Sequence, residues 1–248
     1  ISKNPGQTLA WAVFFAGWVQ LFWIAYHCAN KGIWLRPILV LSENVKLLLC
    51  RALPVALGAG VYQINLLVDT IIASFLPEGS ISYLFFADRV NQLPLGVVGV
   101  AVGTALLPLL SRQIRAGDYG AAQNSQNRAV EFSILLTLPA ACALFILADP
   151  VVKVLFQRGV FGDIHANATA AALAVLALGL PAYVLIKSLA PGFFGRGDTV
   201  TPVKVAVIAM FLNVALSLIL MGPFFHVGVA MATTASSWLN AIMMVTIL

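Results

Sequence analysis

The chain is 248 residues long, 61% hydrophobic and only 9% charged, with a mean hydropathy of +0.97. A soluble domain carries roughly 25% charged residues, so a water-soluble globular fold is excluded. The net charge of +5 is scattered among connections, with no basic run and no aromatic-interleaved basic patch, which excludes nucleic acid as a partner.

Seven apolar runs follow one another at residues 9–26, 53–75, 81–110, 130–148, 166–189, 202–221 and 227–248. At roughly 20 residues per membrane helix they predict an all-α, polytopic membrane bundle of about seven spans. The first run is a membrane helix occupying residues 1–26 and preceding the main lobe. Residues 27–52 form a cytoplasmic connector whose segment 33–50 is amphipathic and suits the membrane interface. Residues 53–248 then make a six-helix lobe. The third run is long enough to tilt or kink, and Pro94 sits inside it. Pro54 and Pro202 stand at helix starts, where a missing N–H costs nothing. Pro139 and Pro181 fall within spans, which membrane helices tolerate when neighbours satisfy the freed carbonyls. Gly96, Gly99 and Gly103, with Ala101 and Ala105, give the third run a small-residue face for close helix packing. Residues 149–159 mix Lys153 and Arg158 with Val, Leu and Phe, as a short interfacial helix or an ordinary amphipathic connector does.

Lysines and arginines set the orientation. Lys31, Arg36, Lys46, Arg51, Arg112, Arg115, Arg128, Lys187, Arg196 and Lys204 fall on one side, and only Lys3, Lys153 and Arg158 on the other. The first side is expected to be cytoplasmic. The chain begins without a methionine and stops inside an apolar run, as a piece of a larger membrane protein would.

The fourteenth cation, Arg89, lies inside the third run. An arginine at the centre of a membrane helix costs about 2.5–3.5 kcal/mol on insertion scales. Such a residue normally faces a polar cavity, and a guanidinium there suits bidentate grip of a phosphate or carboxylate. Arg89 shares a helix face with Gln92 and Gly96. Asn65 and Asp69 are four residues apart on the second run, and so share a face with each other. The plainer alternative is that Asp69 or Asp88 neutralises Arg89. Asn213 and Ser217 are four apart on the sixth run, and Val229 and Thr233 on the seventh. With Asp69 they offer carboxylate, amide, hydroxyl and backbone oxygens, a set that suits a small hard cation, although polar residues on membrane helices more often simply glue helices together. Neither a nucleophile elbow, nor a metal-spaced histidine pair, nor a glycine-rich phosphate loop is present. Cys28, Cys50 and Cys142, like His27, His165 and His226, are isolated in sequence. Enzymatic function and a catalytic residue are therefore not expected.

The run QINLLVDTIIASFLPEGSISYLFFADRVNQLPLGVVGVAVGTALLPLLSRQ (residues 63–113), with LAPGFFGRGDTVTPVKVA (189–206) and VVKVLFQRGVF (151–161), closely resembles the MurJ (MviN) family of lipid II flippases in the MOP exporter superfamily. The resemblance covers essentially the whole chain and places it from about the sixth to the twelfth membrane helix. It implies the C-terminal lobe of a MATE-like, MOP-type transporter in the bacterial cytoplasmic (inner) membrane. The implied function is to move undecaprenyl-diphosphate-linked disaccharide-pentapeptide, the peptidoglycan precursor, across that membrane by alternating access. By the same resemblance Arg89 is the diphosphate-binding residue, with Gln63, Asp88 and Gln92 as supporting cavity residues. Asp69, Asn213, Ser217, Val229 and Thr233 fall on positions that hold sodium in some members, so no cofactor is expected beyond a sodium ion. The implied partners are lipid II, membrane lipids, the missing N-terminal lobe and the missing last two helices, and the fragment is expected to be inactive alone. The rival readings are another MOP-superfamily exporter, for a polysaccharide-lipid or a drug, and a non-transport membrane scaffold of the cell-wall machinery.

Overall fold

The computed structural model describes residues 5–32 and 43–248, except for the side chains of Pro5, Leu9, Asn44, Tyr62 and those at 47–59 and 61. Every regular element among them is helical. They fall into two compact units, one ending at Leu48 and the other spanning Leu49–Leu248.

The first unit contains α1 (Pro5–Asn30), which carries Trp11, Phe14, Phe15, Trp18 and Phe22 in edge-to-face and tilted succession along its length. Its segment Ala10–Asn30 is long and apolar enough to cross a membrane. The helix continues to Asn30, beyond the run anticipated for it. At its far end the expected connector gives way early, because α2 spans Glu43–Ser74 and therefore takes in residues 43–52. The rest of the anticipated amphipathic segment, residues 33–42, lies outside the described residues.

In the second unit a short turn carries α2 into α3 (Ser80–Pro94). Gly79 takes the left-handed φ of 93° there, a conformation that costs a glycine nothing. Immediately after Pro94 the helix widens into a π-helical turn, Leu95–Val100, before α4 (Ala101–Arg115). The kink anticipated at Pro94 is thus absorbed as a change of helical register, a common fate of an interrupted hydrogen-bond ladder. α5 (Tyr119–Ile146) opens on the Asp118 carboxylate, which accepts from the Ala121 N–H at 2.9 Å. The short α6 (Ala148–Phe156) leads to α7 (Asp163–Gly195).

α7 is the central post of the unit. It packs on α3, α4, α5, α6 and α8, and Ala166, Ala170, Ala172, Ala177, Gly179 and Ala182 are buried along it. Small side chains let neighbouring backbones approach closely where lipid supplies no hydrophobic drive between helices. The small-residue face expected on the third run meets this post at Gly99 and Gly103, where an added Cβ would come within 3.0 Å and 3.3 Å of Lys187 atoms, while Gly96 faces open space.

The last element, α8 (Val200–Ile247), is 48 residues long, too long for one crossing of a ~30 Å core. Phe225, at φ 50° and ψ −132°, breaks it into two arms, 200–224 and 226–247. The arms double back. Arg196, just before the first arm, donates from Nη1 to the Leu248 carbonyl at 3.0 Å, and a Cβ added to Gly228 would collide with the Leu220 carbonyl across the bend. Among the described residues five helices are long and apolar enough to cross a membrane. With the doubled α8 and the apolar stretch Gln63–Ser74 of α2, all seven anticipated runs have helical counterparts. At the Phe225 end, Tyr83 Oη and His165 Nδ1 are hydrogen-bonded at 2.7 Å, and His226 Nε2 donates to the Ala168 carbonyl at 3.0 Å. These bonds join α3, α7 and the second arm of α8.

Candidate functional site

A cavity of about 450 Å³ lies inside the second unit, walled by α2, α3, α7 and both arms of α8. Asn65 and Asp69 enter it from α2, Asp88 and Gln92 from α3, and Thr233 from α8. A larger surface depression of about 690 Å³ beside α4 and α5 holds Arg128 and Glu131 but none of the polar residues carried by the spans above.

At one side of the cavity three helices converge on one carboxylate. Asn213 Nδ2 donates to Asp69 Oδ1 at 2.7 Å and to Asn65 Oδ1 at 3.0 Å. Asn65 Nδ2 donates to Asp69 Oδ2 at 3.2 Å. The Thr233 hydroxyl stands 3.5 Å from Asp69 Oδ2 but is nearer the Val229 carbonyl, at 3.0 Å. The i, i+4 spacings seen in the sequence thus do what helical geometry requires, and the fold adds the contacts across chain separations of 144 and 164 residues. Asn213 and Ser217 are fully buried, and both Asn213 Oδ1 and Ser217 Oγ lack a hydrogen-bond partner. Buried oxygens without a donor are costly, and both lie on the residues anticipated as cation ligands. The oxygens these residues carry, with one formal charge among them, are of the kind a monovalent hard cation takes, but Asn213 turns its N–H₂ rather than its Oδ1 toward Asp69, and Ser217 makes no hydrogen bond to the cluster. A divalent ion is ordinarily held by several carboxylates, and the described residues contain no cluster of three or more metal-binding His, Cys, Asp or Glu side chains.

The second polar group lies on α3. Gln92 donates from Nε2 to Asp88 and accepts at Oε1 from Arg89 Nη1 at 3.3 Å. Arg89 also rests its guanidinium 4.7 Å over the Phe85 ring. Arg89 is exposed and stands beside the cavity rather than in its wall, while its two partners in this relay line the wall. It makes no ion pair with Asp69 or Asp88. Among the described residues the ion pair present is Lys153–Asp149, at 2.9 Å on α6. Neither carboxylate touches Arg89, while the Asp88 charge acts on it across a longer distance. Gln63, anticipated as a supporting residue, is exposed and lies outside the cavity wall.

Sequence reasoning missed Lys187. The charge count assigned it to a cytoplasmic connection, but it lies within α7, eight residues before the helix ends at Gly195, and lines the cavity. The signal was available: Leu185, Ile186 and Leu189 surround it, and the apolar run continues to Phe194.

The family model described as "Lipid II flippase MurJ" matches residues 1–248. The chain is 48% identical over 244 residues to "Probable lipid II flippase MurJ" of Rhizobium meliloti (strain 1021), covering 96% of this chain and 45% of that protein. It is 37% identical over 231 residues to the protein of the same description from Rickettsia prowazekii (strain Madrid E), covering 92% and 45%. The chain thus spans a little under half the length of these relatives. Among solved structures it superimposes on lipid II flippase MurJ in an inward closed conformation with a TM-score of 0.70 at 28% identity, covering 76% of this chain and 40% of that one. An outward-facing multidrug resistance MATE family transporter of the MOP superfamily gives a TM-score of 0.71 at 21% identity over 79% and 43%, a likeness of fold alone.

Proposed function

The chain belongs to the MurJ family of lipid II flippases, and from that membership we propose that it forms one wall of a path along which lipid II crosses the bilayer. It is a multi-pass protein of the bacterial inner membrane, and its family is one of transporters rather than catalysts. The rest of the relatives' length supplies the facing wall, so residues 1–248 alone do not flip. The lobe moves as a body against that wall in alternating access, as repeat-built transporters do.

The observation that carries this reading is the position of Arg89. It lies nine residues, or about 13 Å of helix rise, from the start of α3, on a helix that crosses the membrane. At that depth an exposed guanidinium is not stable against lipid. It faces a polar path, and Gln92 and Phe85 hold it so that its remaining N–H donors are free. Those donors match the oxygens of a diphosphate. An exporter of cationic drugs, the alternative offered by the shared fold, has no use for this cation. A scaffold has no use for the polar cavity beside it.

Asp69, Asn213, Ser217, Thr233 and the Val229 carbonyl are the residues that would hold sodium. The ion would supply a positive charge that offsets the buried Asp69 carboxylate and satisfies the orphaned oxygens. The Asn213 amide turns its N–H₂ toward the same carboxylate. The test of the proposed function is depletion of the native flippase and rescue by the full-length protein carrying Arg89→Ala. The expected result is loss of growth with normal membrane accumulation, and loss of lipid II exposure to an external probe. Wild-type exposure of lipid II by Arg89→Ala would refute the reading.

A further inference from the structure

We propose that Lys187 is a second anion-binding residue of this lobe, whose ammonium receives an oxyanion of the transported headgroup alongside the Arg89 fork. The inference rests on the proposed function and adds a residue on a different helix. Lys187 projects from the central post into the cavity that Asp88, Asn91 and Gln92 also line. Side chains on a helix lean toward its N-terminus, which directs Lys187 along the cavity rather than out past Gly195.

The lysine has a built seat. Gly99, buried within the π-helical turn, leaves open a space in which a Cβ would come 3.0 Å from Lys187 Cδ and 3.6 Å from Val184 Cγ2. A Cβ on Gly103 would stand 3.3 Å from the Lys187 carbonyl oxygen. The widened turn and the two glycines thus let the aliphatic stem lie against the α3–α4 span, as long cationic side chains do when they bury the stem and free the head. The next residue fixes the rotation of α7. The Ser188 hydroxyl bonds Ser133 Oγ at 2.7 Å and the Val184 carbonyl at 2.9 Å, and the Ser188 carbonyl accepts from Gln126 Nε2 at 2.8 Å. This buried α5–α7 clasp prevents α7 from turning Lys187 away.

The seated head has no anion of its own. Among the described residues no carboxylate oxygen lies within 4.0 Å of the Lys187 ammonium. Lys187 is itself exposed, so its head opens onto the cavity rather than being enclosed, and a cation on a membrane-spanning helix without a partner normally serves a ligand or pathway. The ligand chemistry follows: a phosphate or a carboxylate, which an ammonium with three rotatable donors accepts without the planar fit that arginine needs. The buried Asn91 Oδ1 and Asn240 Oδ1, both without a donor and both on the cavity wall, suit hydroxyl or amide groups of the same headgroup.

The test uses the full-length protein and two probes, undecaprenyl diphosphate, which carries phosphates alone, and lipid II, which carries phosphates and peptide carboxylates. Lys187→Gln should weaken binding of lipid II by about tenfold, the scale of one hydrogen bond to a charged group, while Lys187→Arg stays within about threefold because the charge is kept. Equal weakening toward undecaprenyl diphosphate identifies phosphate as the partner, and weakening toward lipid II alone identifies carboxylate. Gly99→Ala should weaken binding in the same direction with the ammonium still present, and it decides the question if Lys187→Gln does not accumulate in the membrane. Wild-type affinity in Lys187→Gln, or in Gly99→Ala where that variant decides, overturns this inference alone if Arg89→Gln is impaired. If Arg89→Gln also binds both probes normally, or the wild type binds neither, the proposed function falls with it.

Discussion

Asp69→Asn separates the two forces at the polar cluster. Asp69 accepts from Asn213 at 2.7 Å, Asn65 at 3.2 Å and Thr233 at 3.5 Å. An asparagine keeps one acceptor oxygen but must turn its N–H₂ toward either the Asn213 or the Asn65 amide, both of which already donate. One charge-assisted bond is therefore lost, worth about 1.5–3 kcal/mol. Against this, the variant no longer buries a carboxylate, whose effective cost in a protein interior is several kcal/mol. The two effects oppose each other, so without sodium the variant should unfold at nearly the wild-type temperature or slightly above it. With sodium the two proteins should diverge. Saturating a site to one hundred times its Kd stabilises the folded state by about 2.7 kcal/mol, and this increment belongs to the wild type. The assay is thermal unfolding of the full-length protein in sodium against potassium at constant ionic strength. A sodium-specific stabilisation that survives Asp69→Asn, or a wild type that responds equally to both ions, would refute the assignment of Asp69 as a cation ligand.

Three further outcomes can be checked separately. Arg89→Lys retains the charge but loses the fork, so lipid II exposure should fall about tenfold or more while thermal stability changes by less than about 1 kcal/mol, the scale of an exposed cation–π contact. Gly228→Ala would push a methyl group into the Leu220 carbonyl, and should cost about 1–3 kcal/mol of stability, read as a lowered unfolding temperature and reduced accumulation. Asp198 lies outside the membrane spans, where hydrogen bonds from the Thr201 side chain and from the Thr201 and Val200 N–H groups hold its carboxyl below the usual carboxylate range. Its contribution is therefore present above the ordinary carboxylate value and is lost as pH falls through the depressed one. Asp198→Ala should remove up to about 1 kcal/mol at neutral pH, and its stability difference from the wild type should shrink under acid.

The apolar runs were legible because a lipid-facing helix must be apolar along its whole length, and the positions of all seven survive in the fold. Boundaries were less legible where polar residues continue a helix beyond the bilayer, as at the start of α2. The bend at Phe225 was legible as the gap between the sixth and seventh runs, where Gly222 and Pro223 stand, although the backbone reversal itself falls on a phenylalanine. The cluster at Asp69 was half legible. Spacing of four residues placed Asn65 with Asp69 and Asn213 with Ser217, but meeting across α2 and α8 is a property of packing. Lys187 was missed for a physical reason. Charge counting treats a lysine near the end of a span as a topological signal, although its neighbours Leu185, Ile186 and Leu189 already mark it as part of the span, and what packing alone shows is the approach of its stem to Gly99. Arg89 stands within a helix long and apolar enough to cross a membrane, and its direct partner is a neutral glutamine that relays to Asp88, an arrangement that charge pairing alone does not suggest.

The reversal at Phe225 gives the cluster a mechanical sense. Asn213 belongs to one arm of α8 and Thr233 to the other, and both reach the same carboxylate on α2. The two arms are the jaws of a calliper pivoted at one residue, with Asp69 as the object gauged. Widening the gap between the jaws by an ångström, half at each contact, would carry the Thr233 contact, already at 3.5 Å, beyond hydrogen-bonding reach while leaving the 2.7 Å Asn213 contact within it. At the proposed sodium site, occupancy and the gap between the arms would then be two readings of one variable, and substitutions at the pivot should alter ion affinity without touching a proposed ligand.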